Sequence, residues 1–88
     1  MKCAKRVVIR GRVQGVGFRY EAKKKAGILH LDGFVKNNQD YSVEIVVSGD
    51  EKNVVQFIEW VKKGPSMALV KSVDVEEASV EVSGFEIR

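Results

Sequence analysis

The stretch RVVIRGRVQGVGFR, residues 6–19, decides how this 88-residue chain begins to fold. Its first five residues are rich in β-branched side chains and predict a strand, and an amphipathic helix is predicted from Phe18 onward. Three glycines, Gly11, Gly15 and Gly17, let the chain turn tightly between the two elements. A loop of this kind points unpaired N–H groups and the positive end of the helix in one direction, which favours binding of an anion.

Arg19 strengthens the hypothesis of an anion site, because it lies in the first turn of the predicted helix. A cation at this end of a helix is unfavourable unless an anion lies beside it. The spacing matches neither the Gly-Lys-Ser/Thr ending of a nucleotide P-loop nor a Rossmann fingerprint. Taken alone, the glycines would also suit a tight strand-to-helix turn that binds no ligand.

Length and composition restrict the function classes that are open to this chain. Its 88 residues, 44% of them hydrophobic, predict one domain over residues 1–88 with a compact core. The net charge of +3 is compatible with an enzyme for a small anionic substrate and equally with any soluble domain, so the charge does not distinguish between functions. A single cysteine, Cys3, cannot form an intrachain disulfide, and together with a single histidine, His30, it gives too few ligands for a common zinc site. No cofactor or metal is expected. The sequence shows no signal peptide or membrane-spanning run, so a cytoplasmic location is expected.

The chain as a whole follows the order β-α-β-β-α-β, with a short further strand that carries Phe85 and Ile87. Four further segments carry strand-like apolar patterns: residues 33–36, 42–47, 70–75 and 80–87. Asp50 is a suitable N-cap for a second helix, and Gly64 and Pro65 are expected to end it. This order predicts an α+β fold, a ferredoxin-like split βαβ sandwich. Its antiparallel sheet would have four to five strands, with both helices on one face.

Two segments resemble the signatures of the acylphosphatase family, small enzymes that hydrolyse carboxyl-phosphate anhydrides. One is the loop Gly11–Arg19. The other, Gly33–Asp40, has glycine, an aromatic residue, valine, a basic residue and asparagine in the family's order. Residues 64–73 resemble a third family segment, so the resemblance covers nearly the whole chain. It implies a metal-independent enzyme, a monomer without cofactor, that hydrolyses small-molecule acyl phosphates to a carboxylate and inorganic phosphate.

The resemblance also implies which residues form the site. The family's phosphate-binding and catalytic arginine falls on Arg19, and its catalytic asparagine falls on Asn37. Asn38 is the alternative if the register is shifted by one residue. The implied substrate-binding residues are those of the loop and the start of the helix: Gln14, Gly15, Val16, Gly17, Phe18 and Arg19.

Each of these side chains also has a purely structural interpretation. Arg19 could pair with a carboxylate on the surface, and Asn37 could be an ordinary turn residue of the hairpin. Gln14 is expected to shape the loop rather than to touch the substrate.

His30 and Tyr41 stand where the family usually has glycine. Histidine tolerates the left-handed conformation, so His30 is expected to end the first helix in that conformation. A tyrosine with positive φ would be strained, and Tyr41 is therefore expected to affect the hairpin that Asn37 begins.

Two other functions are compatible with the predicted fold. The first is a phosphate- or carbamoyl-phosphate-binding module with little turnover. The second is a nucleic-acid-binding domain, which is disfavoured because RNA-recognition sheets expose aromatic residues on their central strands and this chain has no aromatic-rich stretch of that kind. A nucleic acid is therefore not expected as a partner. A membrane is not expected either, because the sequence shows no membrane-spanning run.

Overall fold

The computed structural model describes all residues, 1–88, as five strands and two helices. In chain order these are β1 (Lys2–Arg12), α1 (Phe18–Ile28), β2 (Asp32–Asn37), β3 (Val43–Asp50), α2 (Glu51–Lys63), β4 (Leu69–Glu77) and β5 (Phe85–Ile87). The predicted element order and the ferredoxin-like α+β fold class are confirmed. Neither helix has the length and apolar character that crossing a bilayer requires.

The five strands form one sheet in the order β4-β1-β3-β2-β5. The pairs β1–β4, β1–β3 and β2–β3 are antiparallel, as expected, but β5 lies parallel to β2, with Gly33 opposite Phe85. The sheet is therefore mixed rather than wholly antiparallel. The cause is the path of residues 78–84, which carry the chain from one edge of the sheet to the other. The chain reverses on the way, and β5 thus runs opposite to β4 and in the direction of β2.

The hydrophobic core lies between one face of the sheet and the two helices. Alternate strand residues point to one face, and those that face the helices are buried: Val7, Ile9, Val35, Val43, Ile45 and Val47. Phe18, the first residue of α1, is 2% exposed, and its ring lies 5.6 Å from that of Trp60 in α2. Burial of Phe18 fixes where α1 begins, and so fixes the end of the glycine-bearing loop.

Gly11 marks the point where β1 bends toward this loop. The register between β1 and β4 shifts between Arg10 and Gly11, which has a φ of 131°. A Cβ atom at Gly11 would collide with the carbonyl oxygen of Leu69. Only glycine allows the two strands to approach so closely at this bulge.

Candidate active site

A cleft of about 230 Å³ opens where the β1–α1 loop meets the end of β2 and the edge strand β5. Its lining residues come from both predicted motifs and from the C-terminal strand: Val13, Gly15, Gly17, Phe18, Arg19, Tyr20, Asn37 and Ile87. The fold therefore brings the loop, Arg19 and Asn37 to one place, although Arg19 and Asn37 are separated along the chain by a helix and a strand.

The backbone of the loop is shaped to present its N–H groups. Gly15 and Gly17 have φ angles of 74° and 81°, and no atom lies within 4 Å of a Cβ built on either residue. Both positions need glycine for its conformation rather than for space. None of the main-chain N–H groups from Gln14 to Tyr20 donates a hydrogen bond within the protein, and the first helical bond runs from the Glu21 N–H to the Gly17 oxygen. These unpaired donors meet the positive end of α1, an arrangement that suits an anion.

Arg19 is exposed and takes part in no ion pair or hydrogen bond of the structure. The interpretation of Arg19 as a surface residue paired with a carboxylate therefore finds no support in the geometry. The guanidinium lies at the end of the helix that repels cations, and no carboxylate forms an ion pair with it there. It lines the cleft together with the free amides.

Asn37 and Asn38 have different surroundings, as neighbouring residues at the end of a strand should. Asn37 ends β2 and lines the cleft, and its carboxamide has no hydrogen-bond partner in the protein. Nδ2 of Asn38 donates instead to Oγ of Ser42, at 3.0 Å, and to Oε1 of Glu44, at 3.2 Å. The carboxamide of Asn37 is therefore available to a ligand in the cleft, whereas that of Asn38 is occupied within the hairpin.

The side chain of Gln14 ties the glycine-bearing loop to the β2–β3 hairpin. Its Nε2 donates to the carbonyl oxygens of Asn38 and Ser42, each at 2.9 Å. The Gln14 side chain is not part of the cleft lining. Only the main-chain N–H of Gln14 remains available to a ligand. The Gln14 carboxamide instead fixes the distance between the loop and the hairpin that Asn37 begins.

Charged side chains stabilise the hairpin from the side away from the cleft. Asp40 accepts hydrogen bonds from the Ser42 hydroxyl, at 2.6 Å, and from the Ser42 N–H, at 3.0 Å, and these bonds lower the pKa of Asp40. A hydrogen bond of 2.9 Å from Arg6 lowers the pKa of Glu44, which also accepts from Asn38. The turn that follows Asn37 is thereby held by a hydrogen-bond network in which Ser42 and Asn38 connect the carboxylates of Asp40 and Glu44.

Replacing Gln14 with alanine is expected to lower both stability and turnover. The Asn38 and Ser42 carbonyls each keep one main-chain partner, so the loss is about 1–2 kcal/mol in the free energy of unfolding. We also expect kcat to fall by about tenfold, because the spacing between loop and hairpin is no longer fixed. Urea unfolding and steady-state kinetics measure the two effects. Gln56→Ala, at an exposed position of α2 whose side chain makes no hydrogen bond, is the matched control and should change neither.

Tyr41 carries the strain expected from its sequence position. Its φ is 71°, a left-handed conformation that is sterically unfavourable for tyrosine. The side chain is 76% exposed, so burial of the ring contributes little free energy to offset this strain. His30, which follows the C-cap residue Leu29 of α1, has a φ of 56°, which confirms the left-handed conformation expected there. Both residues thus occupy conformations that glycine would adopt without strain.

Replacing Tyr41 with glycine is expected to stabilise the protein. Removal of the strain should raise the free energy of unfolding by about 0.5–1 kcal/mol, after allowance for the greater freedom of glycine in the unfolded chain. Gln39→Gly, at an exposed position of the same turn with ordinary φ, should have the opposite effect. Chemical denaturation of both variants gives the comparison, and a loss of stability in Tyr41→Gly would contradict the interpretation of strain.

Three cleft residues were not among the sequence-based candidates: Val13, Tyr20 and Ile87. Tyr20 follows Arg19 directly and could have been suspected, but Ile87 reaches the cleft only because β5 pairs beside β2. The side chains of two predicted residues serve the core: Val16 packs against it and does not line the cleft, and the ring of Phe18 belongs to it. The prediction for both residues concerns their main-chain amides, and it stays a prediction.

Comparisons with known proteins show similarity to one protein family along nearly the whole chain. A family model described as acylphosphatase matches residues 5–87. An acylphosphatase from Thiobacillus denitrificans is 48% identical over 80 residues, which cover 91% of this chain and 90% of that protein. The crystal structure of acylphosphatase from Bacillus subtilis has a TM-score of 0.93 and 40% identity, and the match covers 100% of this chain and 99% of that chain. Full-length HypF, solved in a phosphate- and nucleotide-bound form, contains a similar part, with 36% identity and a TM-score of 0.92 over 12% of its chain.

Proposed function

Because this chain belongs to the acylphosphatase family and hydrolyses acyl phosphates to a carboxylate and inorganic phosphate, we propose that the cleft beside α1 is its active site. One observation carries the proposal. An unpartnered guanidinium, Arg19, and an unpartnered carboxamide, Asn37, line a single cleft together with Gly15 and Gly17, whose amides are free. The catalytic residues in this proposal are Arg19 and Asn37. The substrate-binding groups are the main-chain N–H groups from Gln14 to Arg19 and the Arg19 side chain.

In this proposal the phosphoryl group lies in the loop. The planar guanidinium of Arg19 donates two parallel hydrogen bonds to phosphoryl oxygens, which a lysine could not reproduce. The amides from Gln14 to Arg19 donate to the remaining oxygens. Because these donors are in place before the substrate arrives, they stabilise the transition-state charge without reorganising, and such stabilisation is the main term in phosphoryl transfer.

Asn37 positions the attacking water. A carboxamide is not a useful base at neutral pH, but its oxygen accepts a hydrogen bond from water and its nitrogen donates one. A water held in this way lies in line with the phosphorus and opposite the leaving oxygen. The contribution of Asn37 is therefore orientation, which lowers the entropic part of the barrier.

The leaving group explains why so few catalytic groups suffice. Cleavage of the bond between phosphorus and the bridging oxygen releases a carboxylate, a stable anion that needs no protonation. No histidine, cysteine, aspartate or glutamate lines the cleft, and we propose a reaction that is independent of a metal. A phosphate monoester releases a much more basic alkoxide, and its hydrolysis should be negligible.

Turnover of benzoyl phosphate in excess chelator, compared with turnover of p-nitrophenyl phosphate, tests this proposal. We expect full activity on the acyl phosphate and none on the monoester. Loss of activity in chelator and its recovery with a divalent cation would overturn the metal-independent mechanism.

A binding module with little turnover is not favoured. Curated relatives at 40–48% identity, which match along most of their length, carry the name of the enzyme. In HypF the matching part is only 12% of the chain, whereas the match to the Thiobacillus denitrificans acylphosphatase covers 90% of that protein.

We further propose that residues 1–88 work as one domain, in the form of a cytoplasmic monomer that binds no nucleic acid. One continuous core supports the single domain. The helix-free face of the sheet carries ion pairs, among them Arg6–Glu44 at 2.9 Å and Arg10–Asp74 at 3.0 Å. The one aromatic residue of the strands on this face, Phe34, is half-buried, and the Arg88 guanidinium lies 4.1 Å from its ring centroid, so its ring is not open for stacking a base. Sedimentation at micromolar concentration and filter binding at physiological salt test the monomer and the absence of RNA binding.

A further inference from the structure

We propose that Tyr20 and Ile87 form an apolar rim that binds the acyl group of the substrate. The enzyme would then favour acyl phosphates with an aromatic or branched apolar substituent over acetyl or carbamoyl phosphate. This inference rests on the function proposed above for the same cleft, and it concerns the end of the cleft that does not bind phosphate.

The cleft is lined by polar and by apolar groups. The polar groups are the free loop amides, the Arg19 guanidinium and the Asn37 carboxamide. Of the apolar lining residues, Val13 and Phe18 are 1% and 2% exposed, so their side chains serve the core. Tyr20 and Ile87 are different, because they are 65% and 42% exposed while bordering the same cleft.

The two rim residues come from separate elements, Tyr20 from α1 and Ile87 from β5. Single exposed apolar residues are normal on any protein surface. Two exposed apolar residues at the border of a polar site indicate more, because a ligand that the polar groups bind would also contact them. Apolar walls with a few placed polar groups are the usual composition of small-molecule sites.

The chemistry of the substrate places its acyl group near this rim. In an acyl phosphate only one bridging oxygen separates the phosphorus from the acyl carbon. With the phosphoryl group held by the loop, the substituent on that carbon extends out of the polar end and over the border of the cleft. A phenyl ring covers more of Tyr20 and Ile87 than a methyl group does, and the apolar area removed from water should improve binding by about tenfold.

Acylmethylphosphonates test this inference, because a CH₂ group replaces the bridging oxygen and prevents hydrolysis. The probes are phenacylphosphonate and acetonylphosphonate, which differ only in phenyl against methyl. The measurement is the ratio of their inhibition constants against acetyl phosphate hydrolysis. We expect the phenyl compound to bind about tenfold more tightly to the wild type.

Substitution of the rim should reduce this ratio. Tyr20→Ser and Ile87→Ser are each expected to lower it to about threefold, and the double variant should bring it near one. Tyr20→Phe and Ile87→Val keep most of the apolar area and should retain most of the preference for the phenyl compound. The Ile87→Val variant also allows position 87 to be tested if Ile87→Ser disturbs the short strand β5. Ile28→Ser is the matched control, since Ile28 is a 63% exposed residue of α1 outside the cleft, and its ratio should equal that of the wild type.

A ratio near one in the wild type, or an unchanged ratio in the folded Tyr20→Ser variant, would overturn the apolar rim. Hydrolysis of acetyl phosphate would persist in that case and would leave the proposed active site standing. Failure of the active site itself would look different: neither phosphonate would inhibit, and Arg19→Ala would retain full turnover.

Discussion

Replacing Arg19 with alanine is expected to lower kcat/KM for benzoyl phosphate by about a thousandfold or more. Removing one preorganised donor from a developing negative charge costs about 10²–10³ in rate, and an arginine on a transferring phosphoryl group supplies 10³–10⁵. The folded state should not suffer, because Arg19 is exposed and has no partner within the protein. Removal of a cation from the first turn of α1 should leave the Tm unchanged or slightly higher.

Two further variants make the Arg19 prediction specific. Arg19→Lys keeps the charge but loses the paired geometry, and it should recover only a small part of the activity. Arg12→Ala removes an exposed arginine that also lacks an ion pair but does not line the cleft, and its kcat/KM should stay near the wild-type value. Steady-state kinetics and thermal unfolding provide both readouts. Full turnover in Arg19→Ala would remove the guanidinium from the mechanism.

Replacing Asn37 with alanine is expected to lower kcat by about 10²–10³ while the affinity for inorganic phosphate stays within a few fold of wild type. The water loses its orienting group, and loss of a near-attack geometry is costly. The loop amides and Arg19, which bind phosphate in the proposal, remain. Calorimetric titration with phosphate, together with single-turnover rates, separates the two quantities. A collapse of phosphate affinity would show that Asn37 binds the phosphoryl group instead of directing the water.

The neighbouring Asn38 offers a matched comparison with the opposite expectation. Asn38→Ala loses the hydrogen bonds to Ser42 and Glu44, which should cost about 1–2 kcal/mol of stability. Its kcat should change much less than that of Asn37→Ala, because the Asn38 carboxamide does not line the cleft. If the two variants exchanged their effects, the register of the site would be wrong by one residue.

Local features of the sequence were enough to predict the elements that position the site. Asp50 was predicted to cap the second helix, and its side chain accepts from the Lys52 N–H at 3.1 Å. Gly64 was predicted to end that helix, and it does so with a φ of 72°. Caps, helix ends and apolar periodicity depend on neighbours within a few residues, which is why the chain itself reveals them. The family motifs likewise indicate Arg19 and Asn37 as candidate groups.

Only the tertiary structure decided how these elements meet. It showed that β5 runs parallel to β2, which brings Ile87 to the cleft, and that Gln14 holds the loop to the hairpin. It also directed Asn37 into the cleft and Asn38 into the hairpin network. Each of these facts depends on contacts between residues distant in sequence, which strand pairing and core burial set together and which no local pattern encodes. The sequence by itself therefore determined the element order and the chemistry of the candidate groups, whereas long-range packing determined which of those groups share one cleft.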